Sequence, residues 1–435
     1  MRISPARRLQ GQISLPGDKS ISHRAAIISA LANGTSRITN FSPSQDCAST
    51  LSCLERLGVS IERSGDNVRV RGDRRLRPAE EGLDCGNSGS TIRMLAGVLA
   101  GQNFSSTLTG DDSLRSRPMK RIIEPLQMMG AEVKSRDGRP PLTIAGTSYL
   151  KPISYELPVA SAQVKSCVLF AGLHAEGRTE IIERHGTTRD HTERMLSWFG
   201  VPLDRVVLND NGATAVSLAG PVSLAAREIS VPGDISSAAF LIAAAALLPG
   251  SNLGIMDVGL NPTRTVFLSL LRSLGLDVNV TEYREECNEP LGQVYVKGRL
   301  PATIKEGPHQ IRGHHIAELI DELPLLAVVG TQIPGGIEIR DAAELRSKES
   351  DRISSTVKNL LAMGAEVEEF EDGLFVTGRT SLRGATINSY GDHRIAMAFT
   401  IAALLAAGDS EIEGAECVSV SFPEFFTILG SVAER

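Results

Sequence analysis

The chain runs to 435 residues, and 45 Lys+Arg against 51 Asp+Glu leave a formal charge of −6. That length suffices for two or three domains with sizeable cores, while 42% apolar and 22% charged residues exclude wholesale disorder. The acidic balance argues against a nucleic-acid backbone as main partner. Six cysteines without a CxxC pair argue against structural zinc and a disulfide framework, and read as small core residues in a reducing compartment.

Arg2, Arg7 and Arg8 open the chain with no apolar stretch behind them, so no secretory signal is expected. Pro16-Gly-Asp-Lys-Ser-Ile-Ser-His-Arg24 is a Pro-Gly turn that predicts a helix start carrying Lys19, Ser20, Ser22, His23 and Arg24. Hydroxyls, free N–H groups and two cations there make an anion site; the plain alternative is a helix capped by Ser20 or Ser22 with Lys19 and Arg24 in water. Gly86-Asn-Ser-Gly-Ser-Thr-Ile-Arg93 is a second small-residue loop opening a helix, where Gly86 and Gly89 permit close backbone approach. Arg117, in Ser113-Leu-Arg-Ser-Arg-Pro-Met119, precedes a helix with Pro118 at its first position. Ser161-Ala-Gln-Val-Lys-Ser166 predicts a Ser-capped helix bearing Gln163 and Lys165, and Arg189 falls in a polar turn before another.

The longest apolar run, residues 238–248, is about half a membrane span, and a soluble cytoplasmic protein is expected. Asp321 and Glu322 head an apolar helical stretch, LPLLAVV. Leu345-Arg-Ser-Lys-Glu-Ser-Asp-Arg352 puts Lys348 and Arg352 four apart on one helical face, with Glu349 beside them. Gly391-Asp-His-Arg-Ile-Ala-Met397 opens an apolar helix with Arg394 in its first turn, where a cation opposes the helix dipole and wants an anionic partner. Each string alone also fits a solvated turn or an ion-paired face. If these helix starts face one cleft, Lys19, Arg24, Arg117, Lys165, Arg189, Lys348, Arg352 and Arg394 would trap a small polyanion, with carboxylates among them to exchange protons.

Ile13-Ser-Leu-Pro-Gly-Asp18 recurs as Ile229-Ser-Val-Pro-Gly-Asp234, so the halves of the chain look like copies. An apolar helix end, a Gly-containing turn and a β-branched strand occur six times, from Leu31, Leu99, Leu173, Leu247, Val329 and Leu405. A helix breaking at Gly before another strand occurs at Gly58, Gly130, Gly200, Gly275 and Gly364, and Gly430 stands where a sixth would fall. The spacing of roughly 70 to 90 residues suits βαβα-type units with extra strands. The expected class is α/β, with two similar domains of three units each. One would hold 16–233 and the other 1–15 plus 234–435, joined by a two-segment hinge that closes over a ligand.

Seven strings in order, PGDKSISHR (16–24), GNSGSTIR (86–93), SLRSRPM (113–119), SAQVKS (161–166), PGDISSAAF (232–240), RSKESDR (346–352) and GDHRIAM (391–397), make the chain resemble the 5-enolpyruvylshikimate-3-phosphate synthase family over essentially its whole length. The resemblance implies two domains, each of three βαβαββ units of the inside-out α/β barrel type, with the active site in the cleft between them. It implies transfer of the enolpyruvyl group of phosphoenolpyruvate to the 5-hydroxyl of shikimate 3-phosphate, with release of phosphate, by addition and then elimination. That is the sixth step of the shikimate pathway, leading to chorismate and the aromatic amino acids. No metal or organic cofactor is implied; the partners are the two small-molecule substrates, with no nucleic acid and no membrane, and the family pattern is a monomer.

Carried over residue by residue, the resemblance gives shikimate 3-phosphate to Lys19, Ser20, Arg24, Ser161, Gln163, Arg189, Asp321 and Lys348. It gives phosphoenolpyruvate to Lys19, Gly89, Arg117, Gln163, Arg352 and Arg394. Asp321 would accept the hydroxyl proton, and Glu349, with Lys19 competing, would protonate the methylene carbon. Ser419-Val-Ser-Phe-Pro423 lacks a Lys that some members carry there, which resembles the branch containing glyphosate-tolerant enzymes. Gly89 keeps the small residue whose enlargement blocks glyphosate in the family, so inhibition is expected. A related transferase acting on UDP-N-acetylglucosamine shares the fold but normally lacks the DKSxSHR string. Against a non-catalytic phospholigand-binding scaffold stand intact Lys19, Asp321, Glu349 and Arg394.

Overall fold

The computed structural model describes residues 1–73, 76–184, 186–208, 213–300 and 307–435, which form a mixed α/β protein. The chain divides into two compact units. Unit 1 comprises Met1–Leu15, Gly233–Arg284 and Pro290–Arg435; unit 2 comprises Pro16–Pro232 and the turn Glu285–Glu289.

Unit 2 contains three four-stranded sheets of one pattern. In the first, Glu228–Ser230 runs parallel to Asn33–Thr39, which is antiparallel to Asn67–Asp73, itself antiparallel to Ser60–Ser64. Leu83–Asp84, Ser105–Thr109, Arg139–Ala145 and Glu132–Arg136 repeat that order. So do Ser154–Glu156, Gly177–Glu183, Thr214–Gly220 and Leu203–Val207. Parallel neighbours need a crossover, and the helices Gly89–Ala100 and Ala162–Gly172 supply two of them. These helices and Lys19–Leu31 are buried nearly all round, as their lack of a polar face requires. At Gly97 a Cβ would lie 2.0 Å from the Cys167 carbonyl oxygen, so two of the helices meet backbone to backbone.

Unit 1 builds its first sheet on Arg8–Ser14 parallel to Asn252–Gly259, followed by Glu289–Lys297 and Asp277–Glu286, with Ala433–Glu434 on the far edge. The second sheet pairs His309–Ile311 with Ile337–Ile339, then Gly373–Val376 and Val367–Phe370. Thr386–Asn388, Ser410–Glu413 and Arg2–Ile3 make a third, three-stranded sheet. The helices Ile235–Leu247, Leu323–Gly330 and His393–Leu405 are again buried around their circumference.

Glycine ends five outer helices: φ is +87° at Gly58, +98° at Gly130, +90° at Gly200 and +81° at both Gly275 and Gly364. At the first, Val59 N–H donates to Leu54 O at 3.1 Å and Gly58 N–H to Glu55 O at 2.9 Å, a paired closure that requires the left-handed residue. Gly430 differs, lying inside the helix Phe425–Val432. All six cysteines are free; Cys287 and Cys417 are only half-buried, and the other four are buried. No sequence pattern marks the turn Glu285–Glu289, yet it is tied firmly into unit 2. Glu289 Oε1 lies 2.7 Å from His191 Nδ1 with both side chains buried, and Arg194 Nη1 donates to Asn288 O at 3.0 Å.

Candidate active site

In unit 2, Asp18 caps the helix Lys19–Leu31, its Oδ1 accepting from Ile21 N–H at 2.9 Å. The cap is therefore the aspartate and neither nearby serine; Ser22 Oγ accepts from Ser42 N–H instead. Half-buried Lys19 extends Nζ to Asp46 at 2.8 Å. Arg24 is only 4% exposed. It donates to Thr192 Oγ1 at 2.6 Å, Ser20 O at 2.8 Å and Ser166 Oγ at 2.9 Å. Burial pulls its pKa down to about 10, with Glu193 and Asp18 opposing and neighbouring Arg189 assisting. A buried cation held by neutral oxygens is a strong anion ligand.

Ser88 caps the helix Gly89–Ala100, accepting from Thr91 N–H at 3.1 Å. One turn along, Arg93 Nη1 donates to Gln163 Oε1, while Gln163 Nε2 donates to Ser90 Oγ at 2.9 Å. Gln163 stands in the first turn of Ala162–Gly172, which Ser161 caps. Arg117 is buried and donates to Asn87 Oδ1 at 2.6 Å and Ser113 Oγ at 3.1 Å. A Cβ on Gly89 would lie 2.7 Å from Arg93 Nη1 and 3.3 Å from Arg117 Nη1. The missing side chain thus lets two guanidinium groups converge on this helix start.

In unit 1, Arg352 begins the helix Arg352–Ala362 and is fully buried among carboxylates. Its Nε donates to Asp392 Oδ2 at 2.8 Å, Nη2 to Glu349 Oε2 at 2.7 Å and Nη1 to Asp321 Oδ1 at 3.4 Å. Burial alone would lower its pKa, but Asp392 and Glu349 outweigh that and raise it. Arg394, also buried, has Nη2 3.9 Å from Asp321 Oδ2 and Nη1 3.6 Å from Glu322 Oε1. Its Nε and Nη1 make no hydrogen bond. Asp321 is therefore bracketed by two guanidinium groups, with Glu349 on one of the same arginines.

Three expectations are corrected. Lys348 and Arg352 do not share a helical face: a 3-10 turn covers Ala343–Ser347, Lys348 is extended, and the α-helix starts only at Arg352. Asp351 forces that start by capping Ser354 N–H at 3.0 Å, and Lys348 Nζ pairs with Glu344 at 2.9 Å. Lys165 is no surface cation. It is 0% exposed, with Glu183 at 2.9 Å and Glu193 at 2.7 Å, and these carboxylates raise its pKa although burial alone would lower it. Pro118 precedes the N-cap Met119 because Arg117 first ends a short helix, Asp112–Ser116.

Sequence reasoning missed Arg93 and Asp392. Asp392 was signalled by its place: like Asp18 and Asp234 it caps the start of a buried helix. Arg93 lies four residues after Gly89, one helical turn, within a string already singled out.

Comparison with known proteins points to one family over essentially the whole chain. The family model described as EPSP synthase (3-phosphoshikimate 1-carboxyvinyltransferase) matches residues 3–429. The chain is 50% identical over 437 residues to the 3-phosphoshikimate 1-carboxyvinyltransferase of Koribacter versatilis, covering 100% of this chain and 99% of that one. It is 47% identical over 441 residues to the Bacillus licheniformis protein of the same description, covering 100% of both. A solved EPSP synthase from Acinetobacter baumannii superposes with a TM-score of 0.86 at 39% identity, covering 99% of this chain and 98% of that one.

Proposed function

The chain belongs to the EPSP synthase family and is an enzyme of the shikimate pathway that transfers the enolpyruvyl group of phosphoenolpyruvate to shikimate 3-phosphate, and we propose that its two units act on one bound pair of these substrates. In this reading Lys19, Ser20, Arg24, Ser161, Gln163, Arg189, Asp321 and Lys348 hold shikimate 3-phosphate. Lys19, Gly89, Arg117, Gln163, Arg352 and Arg394 hold phosphoenolpyruvate. The observation that carries the reading is Asp321, a single carboxylate fixed between Arg352 and Arg394 with Glu349 on the same guanidinium.

Asp321 takes the proton of the attacking 5-hydroxyl, and Glu349 delivers one to the methylene carbon of phosphoenolpyruvate. Lys19, already paired with Asp46, is the competing donor. Phosphate then leaves the tetrahedral adduct as a proton is lost from the new methyl group, restoring the enol ether. The Nε and Nη1 of Arg394, buried without a hydrogen bond, support a role as ligand to a substrate anion. The work is proton transfer and charge neutralisation, for which side chains suffice, so neither metal nor organic cofactor enters the reading. We read the three-sheet units as the family's βαβαββ repeats in inside-out barrels, and the enzyme as a cytoplasmic monomer whose partners are small molecules. With no side chain at Gly89, we expect glyphosate to inhibit; an unchanged rate through millimolar glyphosate would reject that.

The test is phosphate release from phosphoenolpyruvate with shikimate 3-phosphate or UDP-N-acetylglucosamine in parallel. Turnover with shikimate 3-phosphate alone is expected. Turnover only with the nucleotide sugar, or none from folded protein, would overturn the assignment.

A further inference from the structure

We propose that unit 1 carries a surface site for a divalent first-row transition ion, such as Zn²⁺, formed by His314, His315 and Glu318. None of the three belongs to the substrate-binding set. Gly313, at φ +65°, turns the chain into the short helix His314–Leu319, which puts the histidines at its first two positions and Glu318 one turn on. The turn is fixed by Asp341 Oδ2, which accepts from Gly313 N–H at 3.0 Å, and the helix is anchored on its other side by buried Ile316 and Leu319. The donors are thus displayed by a held backbone.

Their geometry approaches that of a coordination shell. The two imidazole rings lie 3.9 Å apart, His315 Nδ1 is 3.0 Å from Glu318 Oε2, and the three donor atoms fall within 4.8 Å of one another. Two ligands each about 2.1 Å from a tetrahedral ion lie about 3.4 Å apart, so the His315–Glu318 pair is already close and His314 needs only a small side-chain rotation. Both histidines are exposed, which leaves an entry path and room for water in the remaining position. Two imidazole nitrogens with one carboxylate favour Zn²⁺, Cu²⁺ or Ni²⁺ over Mg²⁺ or Ca²⁺, which prefer all-oxygen ligands.

The experiment is calorimetric titration of metal-free protein with Zn²⁺ in a non-chelating buffer. The wild type is expected to bind one ion with a Kd of about 1–10 μM. The H314A/H315A double variant should lose that binding or weaken it at least about tenfold, and E318Q should weaken it several-fold. Matching thermal melts of the metal-free proteins establish that the variants fold, as the exposure of both histidines leads us to expect. The proposal is overturned if the double variant binds Zn²⁺ like the wild type, or if millimolar Mg²⁺ displaces the ion.

Discussion

At the scale of single residues, the proposed chemistry centres on Asp321, which two guanidinium groups approach. Arg352 Nη1 touches one of its oxygens at 3.4 Å, and Arg394 approaches the other at 3.9 Å. In the proposed mechanism, Asp321→Asn preserves the shape but removes the proton acceptor. We expect kcat to fall by at least about a hundredfold while KM for shikimate 3-phosphate changes by less than about threefold. Steady-state phosphate release checks this, and retained turnover would remove Asp321 as the base. Gly89→Ala addresses the neighbouring question of space. Its new Cβ would stand 2.7 Å from Arg93 Nη1, so the guanidinium must shift and carry Gln163 with it. If Gln163 holds phosphoenolpyruvate as proposed, KM for it should rise about tenfold or more, because small misplacements of such a group are expensive. An unchanged KM would show that Arg93 gives way freely.

At the scale of elements, Lys165 joins the helix Ala162–Gly172 to the strand Gly177–Glu183 and the helix His191–Trp198 through Glu183 and Glu193. Lys165→Met would strand two carboxylates in the interior and should lower unfolding stability by about 3–5 kcal/mol. Urea denaturation measures this, and a loss below about 1 kcal/mol would mean the carboxylates simply take up protons. The same lysine marks the limit of reading a sequence. Glycine at the helix ends and the Ser161 cap were legible, since a cap is a contact between near neighbours in the chain, whereas at Lys19–Leu31 the reading offered a serine where Asp18 caps. Lys165 with Glu193, and Arg93 with Gln163 seventy residues away, depend on which helices the sheets bring together, and no local pattern encodes that. Lys165 therefore looked like another helix-start cation, and Arg93 like the end of a loop motif. The break at Lys348 was a local matter, decided by Asp351 competing for the helix start.

At the scale of the molecule, the buried apolar residues sort into two cores, one in each unit. Two histidines that desolvation keeps neutral, buried His23 and half-buried His174, both lie in unit 2. Burial pulls the His174 pKa down to about 4, and burial together with Lys19 and Arg24 holds that of His23 well below its ordinary value. The unfolded chain takes up these protons near pH 6.5, so the stability involved is complete above that pH and drains away as pH falls toward 4. For His174 the loss by pH 5 should be about 2 kcal/mol, and His174→Phe, which cannot titrate, should lose correspondingly less between pH 7 and pH 5. Equal losses in urea titrations of the two proteins would show that His174 takes no part. The turn Glu285–Glu289 bears on the ancestry of the halves. A gene trimmed to residues 16–233, the cut that the twin Pro-Gly-Asp strings invite, would encode His191 without the carboxylate beside it and Arg194 without the Asn288 carbonyl. The two halves resemble copies, yet the first taken alone would lack two contacts that residues beyond the cut supply.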